Sequence, residues 1–156
     1  MHRARAMAKR VCLVCEEQCI PAAQKRSKYC ATCRDYAYSY FNTVTNNKRL
    51  EGRAKSRPQI ALTQLEWMKW KHSAEKKCVY CGIQEEDLPL VQMESQCKMP
   101  VKRLGIDRLD SEADYVPENM VPCCFVCNQI KSDRFTPDEM KIIGASVAQI
   151  WIERQK

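Results

Sequence analysis

Two groups of residues in this chain have types and spacings that could do chemistry. The first is a carboxylate and a carboxamide, Asp107 and Asn128. Both present oxygen, the donor that hard divalent ions such as Mg²⁺ and Mn²⁺ take. The second group is sulfur. Eleven Cys stand against two His, and eight of the Cys form four C-x2-C pairs: Cys12/Cys15, Cys30/Cys33, Cys78/Cys81 and Cys124/Cys127. Cys19, Cys97 and Cys123 are left over. With no leader and no apolar stretch long enough to span a bilayer, this pattern reads as structural zinc ligation in a reducing intracellular compartment. Secreted disulfides would need the opposite context.

These donors need elements to hold them. The apolar run Leu104-Gly105-Ile106 delivers Asp107 and Arg108 to the end of a strand. A polar loop, Asp110 to Pro117, leads to a second apolar run, Met120-Val121-Pro122. A helical segment then carries Cys124-x2-Cys127-Asn128, with Lys131 three residues further on. Strand, loop, strand and helix make a cradle for one ion. Cys78/Cys81 and Cys124/Cys127 are 42 residues apart, longer than a simple zinc ribbon, so they bracket that cradle and clamp its base. Cys12/Cys15 and Cys30/Cys33, only 14 apart, have the spacing of a compact four-cysteine knuckle. So short a segment needs its metal to fold. Cys19 is a rival ligand whose spacing suits neither neighbouring pair.

The ordered elements Gly105-Ile106-Asp107-Arg108-x-Asp110, Tyr115, Glu118-Asn119 and Cys124-x2-Cys127-Asn128-x2-Lys131 resemble the HNH, or ββα-metal (His-Me finger), endonuclease family. The resemblance runs back through Cys78-x2-Cys81-Gly82 to the basic stretch and the helix start at Leu62, roughly residues 53 to 154. It implies a small α+β, zinc-bound fold: a ββα-metal core with flanking helices, preceded by a four-cysteine zinc knuckle and a helix. It implies DNA, ahead of RNA, as the partner, with no membrane. It also implies Zn²⁺ in structural sites, two in number, and Mg²⁺ or Mn²⁺ for catalysis. Asp107 and Asn128 would hold the catalytic ion, Asn119 would brace the loop, and Lys131 and Arg134 would grip phosphates. Ser111 and Asp114 depart from the family pattern, which has Asn and Gly there.

Arg108 marks a larger departure, because the family's best-known members place a general-base His after the metal-binding Asp. A guanidinium stays protonated, so Arg108 can clamp phosphate but cannot take a proton. The base is left among His72, Asp110, Glu112 and a metal-bound hydroxide. Two functions follow: a metal-dependent endonuclease, or a catalytically silent zinc-stabilised nucleic-acid-binding protein or subunit of a ribonucleoprotein or transcription assembly.

The net charge of +7 is unevenly placed. Residues 1–57 carry 13 Lys/Arg against 4 Asp/Glu, a balance of +9, whereas residues 58–156 carry 13 against 15, or −2. A cationic arm on a nearly neutral core suits a polyanion. The expected order is a basic tail over 1–10, a zinc knuckle plus helix over 11–47, a basic linker over 48–58 and the nuclease-like core over 59–156. Arg53, Lys55 and Arg57 of the linker are expected at the nucleic-acid backbone. Thr63-x2-Glu66 and Thr136-Pro137-x-Glu139 are capping boxes that open two helices. Leu65, Met68 and His72 would share the inward face of the first, and Met140, Ile143, Val147 and Ile150 that of the second. Tyr36, Ala37, Tyr40, Phe41 and Val44 form an aromatic stripe expected to pack.

Overall fold

The computed structural model describes residues 10–21, 24, 26–49, 58–91 and 102–156. Arg53, Lys55 and Arg57 lie outside the described residues, as do Lys25 and Cys97. Packing divides the chain into two compact units.

The first unit begins with β1 (Arg10–Val11), paired antiparallel with β2 (Gln18–Ile20), and continues into α1 (Ala31–Arg49). Strands of two and three residues do not stand on cross-strand pairing alone. Here they flank the turn of the Cys12 knuckle, where Glu16 N–H donates to the Cys12 carbonyl at 2.9 Å and Cys12 N–H to that of Glu17 at 2.9 Å. Glu16 sits at φ 58, a left-handed position forced by that tight return. The helix α2 (Gln64–Ser73) packs on α1 and belongs to this unit. By packing, Leu62–Ser73, which falls within the expected core of 59–156, groups with the first unit. Burial accounts for the grouping. Trp67 and Met68 are 1% and 0% exposed, Trp67 Nε1–H donates to Ser39 Oγ at 3.0 Å, and its ring meets Tyr40 edge-on with centroids 5.7 Å apart.

That contact also rotates α2. Its buried face is Trp67, Met68 and Lys71, so Leu65 and His72 are exposed and the expected inward histidine is not found. Both capping boxes form as read: Thr63 and Glu66 exchange backbone and side-chain bonds of 2.8 and 3.3 Å, and Thr136 and Glu139 do the same. On α1 the packed face is Cys33, Tyr36, Ala37 and Tyr40, while Phe41 stands 56% exposed.

The second unit holds α3 (Leu88–Val91), β3 (Gly105–Arg108), β4 (Met120–Cys123), α4 (Phe125–Lys131) and α5 (Pro137–Arg154). The expected strand, loop, strand and helix are all present. β3 and β4 pair antiparallel with Asp107 opposite Val121 and Arg108 opposite Met120. The knuckle at Cys78 lies beside β4, where Val79 N–H donates to the Pro122 carbonyl at 3.0 Å. Its turn repeats that at Cys12: Gly82 N–H donates to the Cys78 carbonyl at 2.9 Å, with Gly82 at φ 73. The core of this unit runs from the Cys78 quartet through Leu88, Val91 and Leu104 to Met140, Val147 and Trp151. On α5 the buried positions are Met140, Gly144, Val147 and Trp151, with Ile143 partly packed. Ile150, expected on that face, is 46% exposed, and the buried stripe runs instead through Gly144, which packs against the Tyr80 backbone, to Trp151. No described helix is long and apolar enough to cross a membrane.

Candidate active site and metal centres

The two sulfur quartets share one local design. In each, a knuckle supplies the first pair and a helix start supplies the second. Cys30 precedes α1, and Cys33 N–H points to Cys30 Sγ at 3.5 Å. Cys124 caps α4, and Cys127 N–H points to Cys124 Sγ at 3.4 Å. Donor atoms of Cys12, Cys15, Cys30 and Cys33 all lie within 4.8 Å of one another, as do those of Cys78, Cys81, Cys124 and Cys127. Four thiols at that spacing fit tetrahedral zinc better than any hard cation.

Electrostatics agrees. Hydrogen bonds from the neighbouring Cys123, and then from Cys124, Cys127 and Cys81 of the quartet, hold the Cys78 thiol well down. The hydrogen bonds Cys127 makes with Cys124, Cys78 and Cys81, together with burial, drive its thiol well up. One thiolate is tolerated there, but four need a cation among them. Cys19 lies beside the first quartet, its sulfur 3.6 Å from that of Cys15. Native mass spectrometry is expected to find two zinc ions per chain, and Cys127→Ser to lose one of them. It should lose the fold of the second unit as well, because zinc binding supplies the free energy of such sites. A chain that folds identically after full chelation would refute the clamp.

The oxygen site belongs to the second unit and is built on β3. Asp107 is 7% exposed. Its Oδ2 accepts a hydrogen bond from Tyr80 Oη at 2.6 Å and lies 3.4 Å from Lys131 Nζ. Oδ1 has no such partner among the described residues and remains available to an ion. Asn128 sits one turn before Lys131 on α4, a helix that packs on β3. Residues three apart share a helical face, so Asn128 and Lys131 lie on one side of α4. Asn128 is half-buried and makes no side-chain hydrogen bond among the described residues. One spare carboxylate oxygen and one spare amide oxygen fit a hard divalent ion that keeps part of its water.

The loop between the strands is tied rather than loose. Asn119, 9% exposed, accepts from Asp110 N–H at 2.8 Å and donates from Nδ2 to the carbonyls of Asp110 and Asp114, both at 3.0 Å. Arg108 donates from Nη1 to the Ala113 carbonyl at 2.8 Å, and its guanidinium lies 4.9 Å from the centre of the Tyr115 ring. Asp114, one of the two departures from the family pattern, accepts from Gln59 N–H at 2.7 Å and so ties in the segment before α2. Ser111, the other, bridges Lys131 and the end of α4: it accepts from Lys131 Nζ at 2.9 Å and donates to the Ser132 carbonyl at 3.0 Å.

Two residues occupy places that differ from expectation. Lys131 was expected at a phosphate, but its side chain is 0% exposed and its ammonium is spent on Asp107, the Arg108 carbonyl (2.7 Å) and Ser111. Two of its protons go to acceptors inside the protein, and the Asp107 carboxylate faces it as an ion pair. Tyr80 went unnoticed in the sequence. Burial, then its bond to Asp107, drives its phenol well above the usual range, so it stays a donor to the carboxylate. Its signal was a tyrosine inside a C-x2-C knuckle, which says nothing about a carboxylate 27 residues away. Arg134 is exposed, as a phosphate contact would have to be. His72 lies on the exposed side of α2 in the first unit, while Asp110 and Glu112 are exposed on the loop of the second.

No family model and no curated protein matches the chain. Among solved structures it is similar to PacI, described as a rare-cutting HNH restriction endonuclease with a mechanism of DNA perturbation. The two are 30% identical with a TM-score of 0.64, over 92% of this chain and 96% of that one.

Proposed function

This chain belongs to the HNH endonuclease family, and from that membership we propose that it is a metal-dependent endonuclease hydrolysing phosphodiester bonds of DNA. The observation that carries the reading is the Asp107 carboxylate, held on one oxygen by Tyr80 and Lys131 and open on the other. Asn128 supplies the second oxygen from α4. A divalent ion bound between them would serve as Lewis acid at the scissile phosphate and stabilise the departing oxygen. Arg108, stacked on Tyr115, turns its remaining N–H groups toward a phosphate and offsets charge in the transition state. Asn119 keeps the loop, and with it the end of β3, from moving during the reaction. Arg134 and the basic residues Arg53, Lys55 and Arg57 contact the backbone of the duplex. Zinc in the two thiol quartets is structural: the second carries Tyr80 to Asp107 and α4 to β3.

Neither histidine of the chain, His2 or His72, belongs to the second unit, which leaves that unit's own base to Asp110, Glu112 or a metal-bound hydroxide. The proton then passes to a carboxylate of the loop or to solvent. That same substitution, Arg108 for histidine, favours a second reading in which the chain binds nucleic acid without cutting it.

The two readings part in one assay. Zinc-loaded protein with Mg²⁺ or Mn²⁺ is expected to nick or linearise supercoiled plasmid, and chelation of the added ion should stop it. Tight, salt-sensitive binding with no product on DNA or RNA would leave only the silent reading.

A further inference from the structure

We propose that Lys131 is the internal counter-cation of the ion site: its ammonium secures Asp107 before a divalent ion arrives and then lowers that ion's affinity by repulsion. The inference rests on the reading of Asp107 and Asn128 as ion ligands and assigns the residue that tunes them.

Lysine is almost never fully buried unless paired, and Lys131 is at 0%. Its ammonium lies 3.4 Å from Asp107 Oδ2, the oxygen already bonded by Tyr80, and also donates to the Arg108 carbonyl and to Ser111 Oγ. Positioning alone would not require a charge, since Tyr80 already fixes that oxygen with a neutral donor. A charge is required because a carboxylate only 7% exposed is costly without a cation nearby. Lysine and aspartate together leave the ion-free pocket neutral. A dication entering on Oδ1 therefore meets a carboxylate that is already compensated, with a like charge behind it. Ser111 makes the arrangement stiff: it ties the ammonium to the Ser132 carbonyl, where the chain leaves α4 at φ 47, so the lysine cannot simply swing out.

The consequence is a pair of effects with opposite signs. Losing the charge should destabilise the ion-free fold and strengthen ion binding. A brace without an electrostatic role would weaken both together.

The zinc-loaded full chain is titrated with Mn²⁺, and free Mn²⁺ is followed by electron paramagnetic resonance. Lys131→Met is expected to bind Mn²⁺ on the order of tenfold more tightly than wild type, with a lower melting midpoint before Mn²⁺ is added. Lys131→Arg, which keeps the positive charge, should not bind Mn²⁺ more tightly than wild type. A folded Lys131→Met that binds Mn²⁺ no more tightly than wild type overturns the proposal. Should that variant not fold, the Lys131 ammonium resonance of the wild-type chain is followed by nitrogen-15 NMR during Mg²⁺ titration. A shift at saturation supports the proposal, and an unmoved resonance overturns it. Wild-type protein that binds no Mn²⁺ would instead remove the ion site itself, a different failure from the one that singles out Lys131.

Discussion

Asp107→Ala is expected to abolish cleavage, by at least ~10³-fold in rate, and to destabilise the protein as well. The first effect follows from losing the one carboxylate that offers an ion a free oxygen. The second follows from what the substitution leaves behind: a fully buried ammonium without its counter-charge and a buried phenol without its acceptor. Breaking a buried pair by removing one partner costs about 3–5 kcal/mol. Two acceptors of Lys131 survive, so the low end applies, or a fall of roughly 10 °C in melting midpoint. Asp107→Asn separates the two effects, because a carboxamide still accepts from Tyr80 and leaves the Lys131 ammonium a nearby dipole while offering the ion no charge. It should be nearly as inactive and distinctly more stable. In a Lys131→Met background Asp107→Ala should cost less stability than in wild type, since no stranded charge remains. Cleavage by Asp107→Ala at the wild-type rate would end the proposed mechanism. A melting midpoint equal to wild type would mean that the ion pair contributes nothing.

The same pair shows where reading the chain in one dimension stops. Asp107, the loop, β4 and α4 were legible because each is announced locally, by an apolar run, a turn-rich stretch or a cysteine pair at a helix start. The capping boxes at Thr63 and Thr136 were legible for the same reason: cap and partner lie three residues apart. The burial of Lys131 is invisible in the sequence because a lysine on a short helix is normally solvated, and only the fold brings Asp107 and Ser111 to it. Tyr80 gives no sign in the sequence, because it lies in the turn of the knuckle and its partner Asp107 lies on β3. The face of α2 was misassigned because Trp67 and Met68 follow one another in sequence, so periodicity cannot choose between the stripe holding Leu65 and that holding Lys71. Packing on Tyr40 and Ser39 makes the choice. β1 and β2 carry no alternation at all, since the Cys12 turn rather than a hydrophobic face holds them together.

Gly144→Ala is expected to damage the active site from the far side of the knuckle. By local propensity alone the change should help, because alanine is favoured over glycine inside a helix by about 1 kcal/mol. Packing reverses the sign. A Cβ at position 144 would stand 2.3 Å from the Tyr80 carbonyl oxygen and 2.6 Å from its carbon. Both are backbone atoms of a segment flanked by Cys78 and Cys81, so no flexible side chain can absorb the overlap. Either α5 lifts away from the core around Met140 and Val147, or Tyr80 moves and its 2.6 Å bond to Asp107 stretches or breaks. Overpacking of this kind costs typically 1–3 kcal/mol and occasionally more, so the net loss should be about 2 kcal/mol. Loss of the group that orients an ion ligand should reduce cleavage by ~10–100-fold. Ser146→Ala, two residues along and exposed, controls for propensity and should leave both stability and rate near wild type. Tyr80→Phe removes the phenol bond without moving the backbone, so it should reproduce much of the rate loss and less of the instability. If displacement of Tyr80 is the cause, Gly144→Ala added to Tyr80→Phe should lower the rate little further. A fully multiplicative loss in the double variant would show that α5 acts on the site by some other route.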